Sequence, residues 1–201
     1  MRLVLASASP RRKELLSILG VEFQVFECDV DENIDIQCPH DYVMELAMLK
    51  ARTAASKLPE DVLVIAADTI VYKNGILGKP VDREDAFNMI KFLQGSYHEV
   101  YTGIALYSSG GNIYKKGYER TVVKMKEMSH DEIEWYLNRN EYKDKAGAYG
   151  IQGTASIFIE YIQGCYFNVV GLPVSKLYSM LKEINAVNRL KIGLGGLKDD
   201  G

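Results

Sequence analysis

Apolar residues recur along this chain in two spacings, one typical of strands and one typical of helices. Residues 62–67, Val-Leu-Val-Ile-Ala-Ala, form a continuous apolar run rich in β-branched side chains. Such a run predicts a strand that is buried on both faces. Residues 41–57 instead place Val43, Leu46 and Ala54 on one face at helical spacing, which predicts an amphipathic helix.

The remaining elements follow from the same patterns and from local capping and turn signals. Asn74-Gly75 predicts a tight hairpin between 70–72 and 76–77. Ser129 and Glu132 have capping-box spacing and predict a helix that ends at Leu137. Further strands are predicted at 2–5, 98–107 and 113–126, a hairpin of strands 157–162 and 165–170 turning at Gln163-Gly164, and further helices at 10–20, 82–93 and from Pro173 onward.

Helices and strands alternate early in the chain, and strands cluster later. This order favours an α/β fold built on a mixed sheet. With 201 residues and no linker-like stretch, residues 1–190 are predicted to form a single domain. Residues 191–201 are rich in Gly and charge, and we expect them to be a flexible tail.

Composition excludes several classes of protein. The chain has 24 Lys and Arg against 27 Asp and Glu, a net charge of −3. This balance argues against nucleic-acid coating and membrane-surface binding, which both need a positive field. The longest apolar run, six residues, is far too short to span a membrane. No targeting segment is recognised, so a cytoplasmic location is expected. Oligomeric state stays open, and a homodimer is one alternative.

Cysteine and histidine usage gives no metal signal at this stage. The three cysteines are odd in number and lack paired spacing, so free thiols are predicted rather than disulfides or a zinc site. The three histidines, His40, His98 and His130, are scattered, and no histidine-based metal cluster is expected.

The first candidate for chemistry is the junction between the first strand and the first helix. Ser7 and Ser9 lie in a small-residue loop, and Pro10 occupies the first helical position. The backbone N–H groups at such a junction form an anion site. Arg11 and Arg12 oppose the helix dipole there, a conflict that an anionic ligand would resolve. Alternatively, both arginines extend into solvent.

The second candidate is Asp68-Thr69, which directly follows the most buried strand. A carboxylate at that point is expected to face a crevice at the strand's carboxyl end, where open α/β sheets bind ligands. The alternative is an aspartate that closes a turn by bonding its own backbone.

Further charged and amide side chains are spread over the chain as candidate partners. Taken singly, each is usually a solvated surface group. Together, carboxylates, lysines and arginines suit a polyphosphate with a bound Mg²⁺ or Mn²⁺ ion. The members of this set are Glu32, Lys50, Lys79 and Gln152.

The motifs that contain these residues resemble the Maf (septum formation inhibitor-like) family. The resemblance covers about residues 2–183 in order, and only the tail lies outside it. The similar segments are 5–16, 30–32, 46–51, 67–71, 78–80, 101–103, 144–153 and 168–173.

This resemblance implies an activity, a fold and a cofactor. The activity is hydrolysis of nucleoside triphosphates between the α and β phosphates, giving a monophosphate and pyrophosphate. The fold is similar to that of inosine triphosphatases, with two lobes around an elongated mixed sheet and the substrate in a central cleft. The cofactor is a divalent cation, Mg²⁺ or Mn²⁺.

The resemblance also implies roles for individual residues. Asp68 would be the proton acceptor, and Glu32 would hold the metal together with Asp68. The triphosphate would be held by Arg11, Arg12, Lys50 and Lys79, in a loop shaped by Ser7 and Ser9.

Three positions distinguish branches of this family. Arg11, Thr69 and Gln152 resemble the branch that acts on dTTP and UTP, whereas the 7-methyl-GTP branch tends to carry Trp, Gln and Glu there. An amide can both donate and accept toward the polar edge of a uracil ring, and an ionised Glu only accepts. Because one methyl group discriminates weakly, acceptance of both thymine and uracil is expected.

Two alternatives remain at this stage. One is the 7-methyl-GTP branch of the same enzymes, and the other is a non-catalytic regulator of cell division that binds nucleotide or a protein. A pure binder has no need of a carboxylate poised at Asp68 beside a phosphate clamp.

Overall fold

A computed structural model describes residues 1–27, 29–59 and 61–192. Cys28 and most of the predicted tail, residues 193–201, lie outside the described residues. The strands are β1 Arg2–Leu5, β2 Gln24–Val25, β3 Val62–Tyr72, β4 Ile76–Leu77, β5 Tyr97–Ser108, β6 Tyr114–Met125 and β7 Ile159–Gln163. The α-helices are α1 Pro10–Ser17, α2 Pro39–Ala55, α3 Arg83–Leu93, α4 His130–Leu137, α5 Tyr166–Val170, α6 Val174–Glu183 and α7 Ala186–Arg189.

One seven-stranded mixed sheet organises the chain. Its order is β2-β1-β3-β5-β6-β7, and β4 pairs with β3 beside that path. β1 runs parallel to β2 and β3, whereas the other pairs are antiparallel. Helices pack against the sheet, so the predicted α/β fold with a mixed sheet is confirmed.

Alternation along β3 decides which side chains meet which helices. Val62, Val64 and Ala66 point toward α2 and pack with its alanines. Leu63 and Ile65 point to the opposite face and pack with α1 and α6. Because side chains alternate along a strand, neighbouring residues of β3 reach opposite faces of the sheet.

The pairing of β3 leaves a gap along one of its sides. On one side β5 pairs with β3 from Leu63 to Tyr72. On the other side β1 pairs with β3 only as far as Ile65, and β4 begins its pairing at Val71. The chain leaves β1 at Ala6, whose N–H donates to the Ile65 carbonyl. Among the described residues, the segment of β3 between these two partners therefore has no strand partner on that side.

Several sequence predictions are confirmed to within a few residues. The hairpin at Asn74-Gly75 forms, and the Ser129–Glu132 capping box makes both of its hydrogen bonds. The predicted strand 62–67 continues through to Tyr72. Asp68 is thus inside β3, at the gap in its pairing, and not at the strand's end.

The predicted hairpin around Gln163-Gly164 is wrong in its second half. β7 pairs with β6, and residues 166–170 form helix α5 instead of a strand. The helix buries Asn168, whose amide donates to the Val100 carbonyl and to Thr121 Oγ1. The β-prone run Tyr-Phe-Asn-Val-Val is overruled because strand propensity yields to such tertiary contacts.

Gly103 brings α2 against the sheet directly beside Asp68. The two residues are register partners across β3 and β5. A Cβ atom at Gly103 would lie 2.1 Å from the Val43 carbonyl oxygen of α2, which is backbone and cannot swing away. The close approach of this helix to the sheet therefore requires glycine at this position.

We expect Gly103→Ala to push α2 away from the sheet. Overpacking of this kind costs about 1–3 kcal/mol of unfolding free energy, measurable by urea denaturation. Gly75→Ala is the matched control, because a Cβ atom added at Gly75 would meet nothing within 4 Å. Equal stability of the Gly103→Ala variant and the wild type would contradict this account of the packing.

Candidate functional site

A cleft of about 600 Å³ opens at the gap in the pairing of β3. It brings together every candidate site residue of the sequence analysis, although they come from separate segments of the chain. Those residues are Ser7, Ser9, Arg11, Arg12, Glu32, Lys50, Asp68, Thr69, Lys79 and Gln152.

Asp68 and Glu32 converge on the ammonium group of Lys50. Lys50 Nζ lies 2.7 Å from Asp68 Oδ1 and 2.7 Å from Glu32 Oε1. Asp68 is only 7% exposed, and it faces α2 because of its position in β3. Burial of a carboxylate is costly unless a charged partner compensates it. The arrangement thus places a carboxylate oxygen of Asp68 beside a cation in the cleft.

The charge environment of Glu32 is dominated by cations. Partial burial acts to raise the pKa of Glu32, but the hydrogen bond and charge of Lys50 outweigh it. Lys79 and Arg12 act in the same direction, and the net result is a lowered pKa. Glu32 is therefore ionised at neutral pH, and it carries its charge beside Asp68.

Arg12 connects the first helix to β3 on the other face of the sheet. Its Nε donates to the Gly171 carbonyl at 2.9 Å, and its Nη2 donates to Thr69 Oγ1 at 3.1 Å. Its Nη1 lies 3.5 Å from Ser7 Oγ. Burial lowers the pKa of Arg12, and Asp68 partly opposes that shift. Arginine stays protonated even so, and its direction is fixed by two elements at once.

The hydroxyl of Thr69 is already committed within the protein. Thr102 Oγ1 donates to the Asn168 carbonyl, so its single proton is used there. The 2.9 Å contact between Thr69 and Thr102 therefore has Thr69 as its donor. Since Thr69 also accepts from Arg12, its hydroxyl can offer a ligand only an acceptor.

The loop before α1 has the predicted form, but the Ser9 side chain does not cap the helix. Ser9 occupies the N-cap position and Pro10 follows at the first turn. The Ser9 side chain makes no capping bond, and the Ser9 N–H instead donates to Ser7 Oγ at 3.2 Å. The loop and the first turn of α1 line the cleft, and the first N–H groups of a helix have no partner within the helix.

Gln152 lies in a loop whose two flanking glycines closely approach the Lys145 and Glu141 side chains. A Cβ at Gly150 would lie 2.5 Å from Lys145 Cε, and one at Gly153 would lie 2.1 Å from Glu141 Oε2. Glu141 also accepts from the Thr154 N–H at 2.7 Å, which secures the end of the loop. The Gln152 side chain is exposed within this frame and is accessible to a ligand.

Sequence reasoning missed several residues that line the cleft, and most of them lie within one segment of the chain. Among them, Lys145 stands opposite Arg11, and burial together with the Arg11 charge lowers the pKa of Lys145. The segment 144–153, which resembles the family motif, was the available signal. The additional polar lining residues are Asp29, Lys143, Asp144, Lys145 and Tyr149.

The cleft is more positive than the protein as a whole. Among the described residues that line it, six carry a positive charge and four a negative charge. The cations line the same cleft as the small-residue loop, and two of the carboxylates are joined by Lys50. An anionic ligand is attracted to such a surface, and planar guanidinium groups suit phosphate oxygens.

The carboxylate pair also fits a hard divalent cation. Glu32 and Asp68 already converge on one cationic group, the Lys50 ammonium, which stands where positive charge is favoured. Mg²⁺ is commonly held by one or two carboxylates, with substrate phosphates and water completing its shell. Two carboxylates beside a cationic cleft meet that requirement.

The fold and the cleft define a class: a mixed α/β protein whose central cleft is built to receive a phosphorylated ligand. The chain belongs to the Maf family, because the family model described as Maf-like protein matches residues 2–184.

Curated relatives resemble nearly the whole chain. A protein of Thermoanaerobacter pseudethanolicus named dTTP/UTP pyrophosphatase is 50% identical over 183 residues, which cover 90% of this chain and 96% of that protein. A protein of Clostridium beijerinckii with the same name is 50% identical over 187 residues, covering 92% of this chain and 100% of its own length.

Solved structures show a more distant likeness. A dITP/XTP pyrophosphatase of Mycobacterium abscessus has a TM-score of 0.47 at 14% identity, covering 94% of this chain and 98% of its own. The Ham1 protein of Staphylococcus aureus has a TM-score of 0.44 at 14% identity, covering 62% and 72%. No helix among the described residues has the length and apolar content to cross a membrane.

Tyr149, in the wall of the cleft, is anchored by a buried histidine. Its hydroxyl lies 2.7 Å from His98 Nε2, and the two rings meet edge to face. Burial, assisted by the charge of Lys73, lowers the pKa of His98 to about 4. His98 is therefore neutral in the folded protein at physiological pH.

This burial predicts a loss of stability in acid. In the unfolded chain a histidine with a pKa of 6.5 gains a proton below that pH, whereas folded His98 resists protonation down to about pH 4. The free energy of unfolding should therefore fall by up to about 3 kcal/mol between those pH values. Urea denaturation at several pH values measures this dependence.

The comparison variant is His98→Gln, in which the titrating imidazole is replaced by an amide that does not titrate. Its stability deficit relative to wild type should shrink as the pH falls from 7 to 4. The same substitution at exposed His130 is the matched control. A deficit for His98→Gln that is constant with pH would show that the histidine does not titrate in this way.

Proposed function

We propose that this protein hydrolyses dTTP and UTP between the α and β phosphates, releasing the nucleoside monophosphate and pyrophosphate. The observation that carries the proposal is the buried Asp68 carboxylate, bridged by Lys50 to Glu32 at the base of a cationic cleft. The names of relatives that are 50% identical over about nine-tenths of the chain support it.

Asp68 acts as the proton acceptor in this proposal. Hydrolysis of a phosphoanhydride needs an in-line water and a base that takes its proton as the oxygen attacks phosphorus. The ion pair with Lys50 fixes the direction of the Asp68 carboxylate. Lys50 in turn places positive charge where the negative charge of the transition state develops.

The cations around the loop hold the triphosphate. Arg12 lines the cleft and is oriented by Gly171 and Thr69, so its guanidinium is already ordered before a ligand binds. Preorganised donors of this kind cost no reorganisation during the reaction. Arg11, Lys79 and the N–H groups at the start of α1 complete the anion site, which Ser7 and Ser9 shape.

The resident cofactor of the proposal is Mg²⁺ or Mn²⁺, held by Glu32 and Asp68. When bound, the ion would polarise phosphate oxygens and neutralise their charge. While holding the ion, Glu32 and Asp68 would keep their contacts with Lys50.

The pyrimidine preference follows from the donors and acceptors that Thr69 and Gln152 present in the cleft. Thr69 offers an acceptor only, whereas the Gln152 amide offers a donor and an acceptor. A uracil or thymine ring presents an N–H between two carbonyl groups, which is complementary to this mixture. Arg11, the third of the positions that distinguish the branches of the family, lines the same cleft.

The first test replaces the proton acceptor. Asp68→Asn keeps the shape of the side chain but cannot accept a proton at neutral pH, so dTTP turnover should fall by about 10²–10⁴-fold. The measurement is pyrophosphate release with Mg²⁺, with Mn²⁺ and without metal, over a panel of nucleotides that includes 7-methyl-GTP.

Asp35→Asn, at an exposed position outside the cleft, is the matched control. An unfolding curve for each variant shows whether loss of activity reflects loss of structure. If folded Asp68→Asn retains wild-type turnover, Asp68 is not the base. If the wild type binds dTTP but releases no pyrophosphate, the regulator alternative replaces the enzyme.

The second test addresses recognition of the pyrimidine nucleobase. Gln152→Glu replaces an amide donor by a carboxylate, which faces the carbonyl oxygens of the pyrimidine with like partial charge. We expect kcat/KM for dTTP and UTP to fall by about tenfold or more, which corresponds to loss of one buried hydrogen bond.

Gln163→Glu is the charge-matched control, because Gln163 ends β7 and does not line the cleft. An unchanged substrate profile of Gln152→Glu would show that Gln152 does not recognise the pyrimidine base. Preferred turnover of 7-methyl-GTP by the wild type would favour the other branch of the family.

A further inference from the structure

The first turn of α2 assembles three metal-ligating side chains outside the catalytic cleft. Cys38 Sγ lies 3.2 Å from His40 Nδ1 and 3.4 Å from His40 Nε2. His40 Nε2 lies 3.7 Å from Asp41 Oδ1. One donor atom from each residue falls within 4.8 Å of the others, and none of the three residues lines the cleft.

These separations are close to those of a tetrahedral zinc site. Zn–S bonds of about 2.3 Å and Zn–N or Zn–O bonds of about 2.0–2.1 Å at tetrahedral angles place sulfur about 3.5 Å from nitrogen, and nitrogen about 3.3 Å from oxygen. The observed distances from His40 Nε2 are 3.4 Å to sulfur and 3.7 Å to oxygen. One donor atom from each residue already lies within 4.8 Å of the others, so rotation of the three side chains would close the set around an ion.

Two of the ligands, Cys38 and His40, are restrained before any ion binds. Cys38 occupies the N-cap position, and Pro39 follows at the first helical position, where its ring fixes the backbone between two of the ligands. The His40 ring stacks on Tyr118, with centroids 5.0 Å apart and planes at 23°. Binding therefore orders few groups that are not already ordered, which lowers its entropic cost.

The chemistry of the donors distinguishes this cluster from the catalytic carboxylates. Thiolate and imidazole ligands suit Zn²⁺, whereas carboxylates with water suit Mg²⁺. A divalent ion bound by a thiolate, a carboxylate and a neutral imidazole has no net charge, so the helix dipole opposes it little. The thiol of Cys38 releases its proton to solvent when the bond to the metal forms.

We propose that Cys38, His40 and Asp41 form a second metal site, which takes Zn²⁺ or a similar thiophilic divalent ion, with water as the fourth ligand. The site stands apart from the proposed catalytic function and does not depend on it. It lies at the start of the helix that carries Lys50, and Tyr42 of the same turn donates to the Glu32 carbonyl at 3.1 Å.

Co²⁺ is the probe that tests the proposal, because a cobalt–thiolate bond gives a near-ultraviolet charge-transfer band and a tetrahedral ion gives strong visible bands. Titration of the metal-free full chain should give both at one equivalent, and Zn²⁺ should displace them. Cys38→Ser should abolish the charge-transfer band, and His40→Ala and Asp41→Asn should each weaken binding by at least tenfold.

The controls separate this site from the other thiols and from the cleft. Cys165→Ser and Cys28→Ser should keep the bands, as should the cleft variants Glu32→Gln and Asp68→Asn. Absence of the bands in the wild type, or their persistence in Cys38→Ser, would overturn the proposal. It would also be overturned if the bands depended on Asp68, or if His40→Ala left the affinity unchanged.

Discussion

The site depends on the interruption of strand pairing along one side of β3. β1 stops pairing at Ile65 and β4 resumes at Val71, while β5 covers the other side without a break. At an open segment of this kind, side chains from both faces of the sheet reach the same space. Asp68, which faces α2, and Thr69, which faces α1 and α5, consequently line one cleft.

Helix α2 converts that geometry into a charged site. Its close approach at Gly103 brings Lys50 to Asp68. Lys50 also contacts Glu32, which lies in the loop before the helix. The result is an acidic pair bridged by Lys50 in a cleft that further cations line. The net charge of −3 averages over this contrast, so a mildly acidic chain can still carry a cationic cleft.

Sequence reasoning was accurate where local chemistry decides the structure. Turn and capping signals placed the hairpin at Asn74-Gly75 and the start of α4, because these motifs satisfy backbone groups with nearby partners. It failed at residues 166–170, where a β-prone run becomes a helix because Asn168 is buried against β5 and β6. It also missed the convergence of Cys38, His40 and Asp41, since scattered histidines gave no signal for a cluster formed by one cysteine and one histidine.

The sequence by itself determined the order of the main elements, the mixed α/β class and, through family-like motifs, the residues that line the cleft. Only the tertiary structure decided how those residues are paired and which of their hydrogen-bonding groups remain available. Thr69 shows the difference, since its hydroxyl is committed to Arg12 and Thr102, residues distant from it in the chain. Motifs are local and identify side chains, whereas donors and acceptors are paired across strands and helices that meet only in the folded protein.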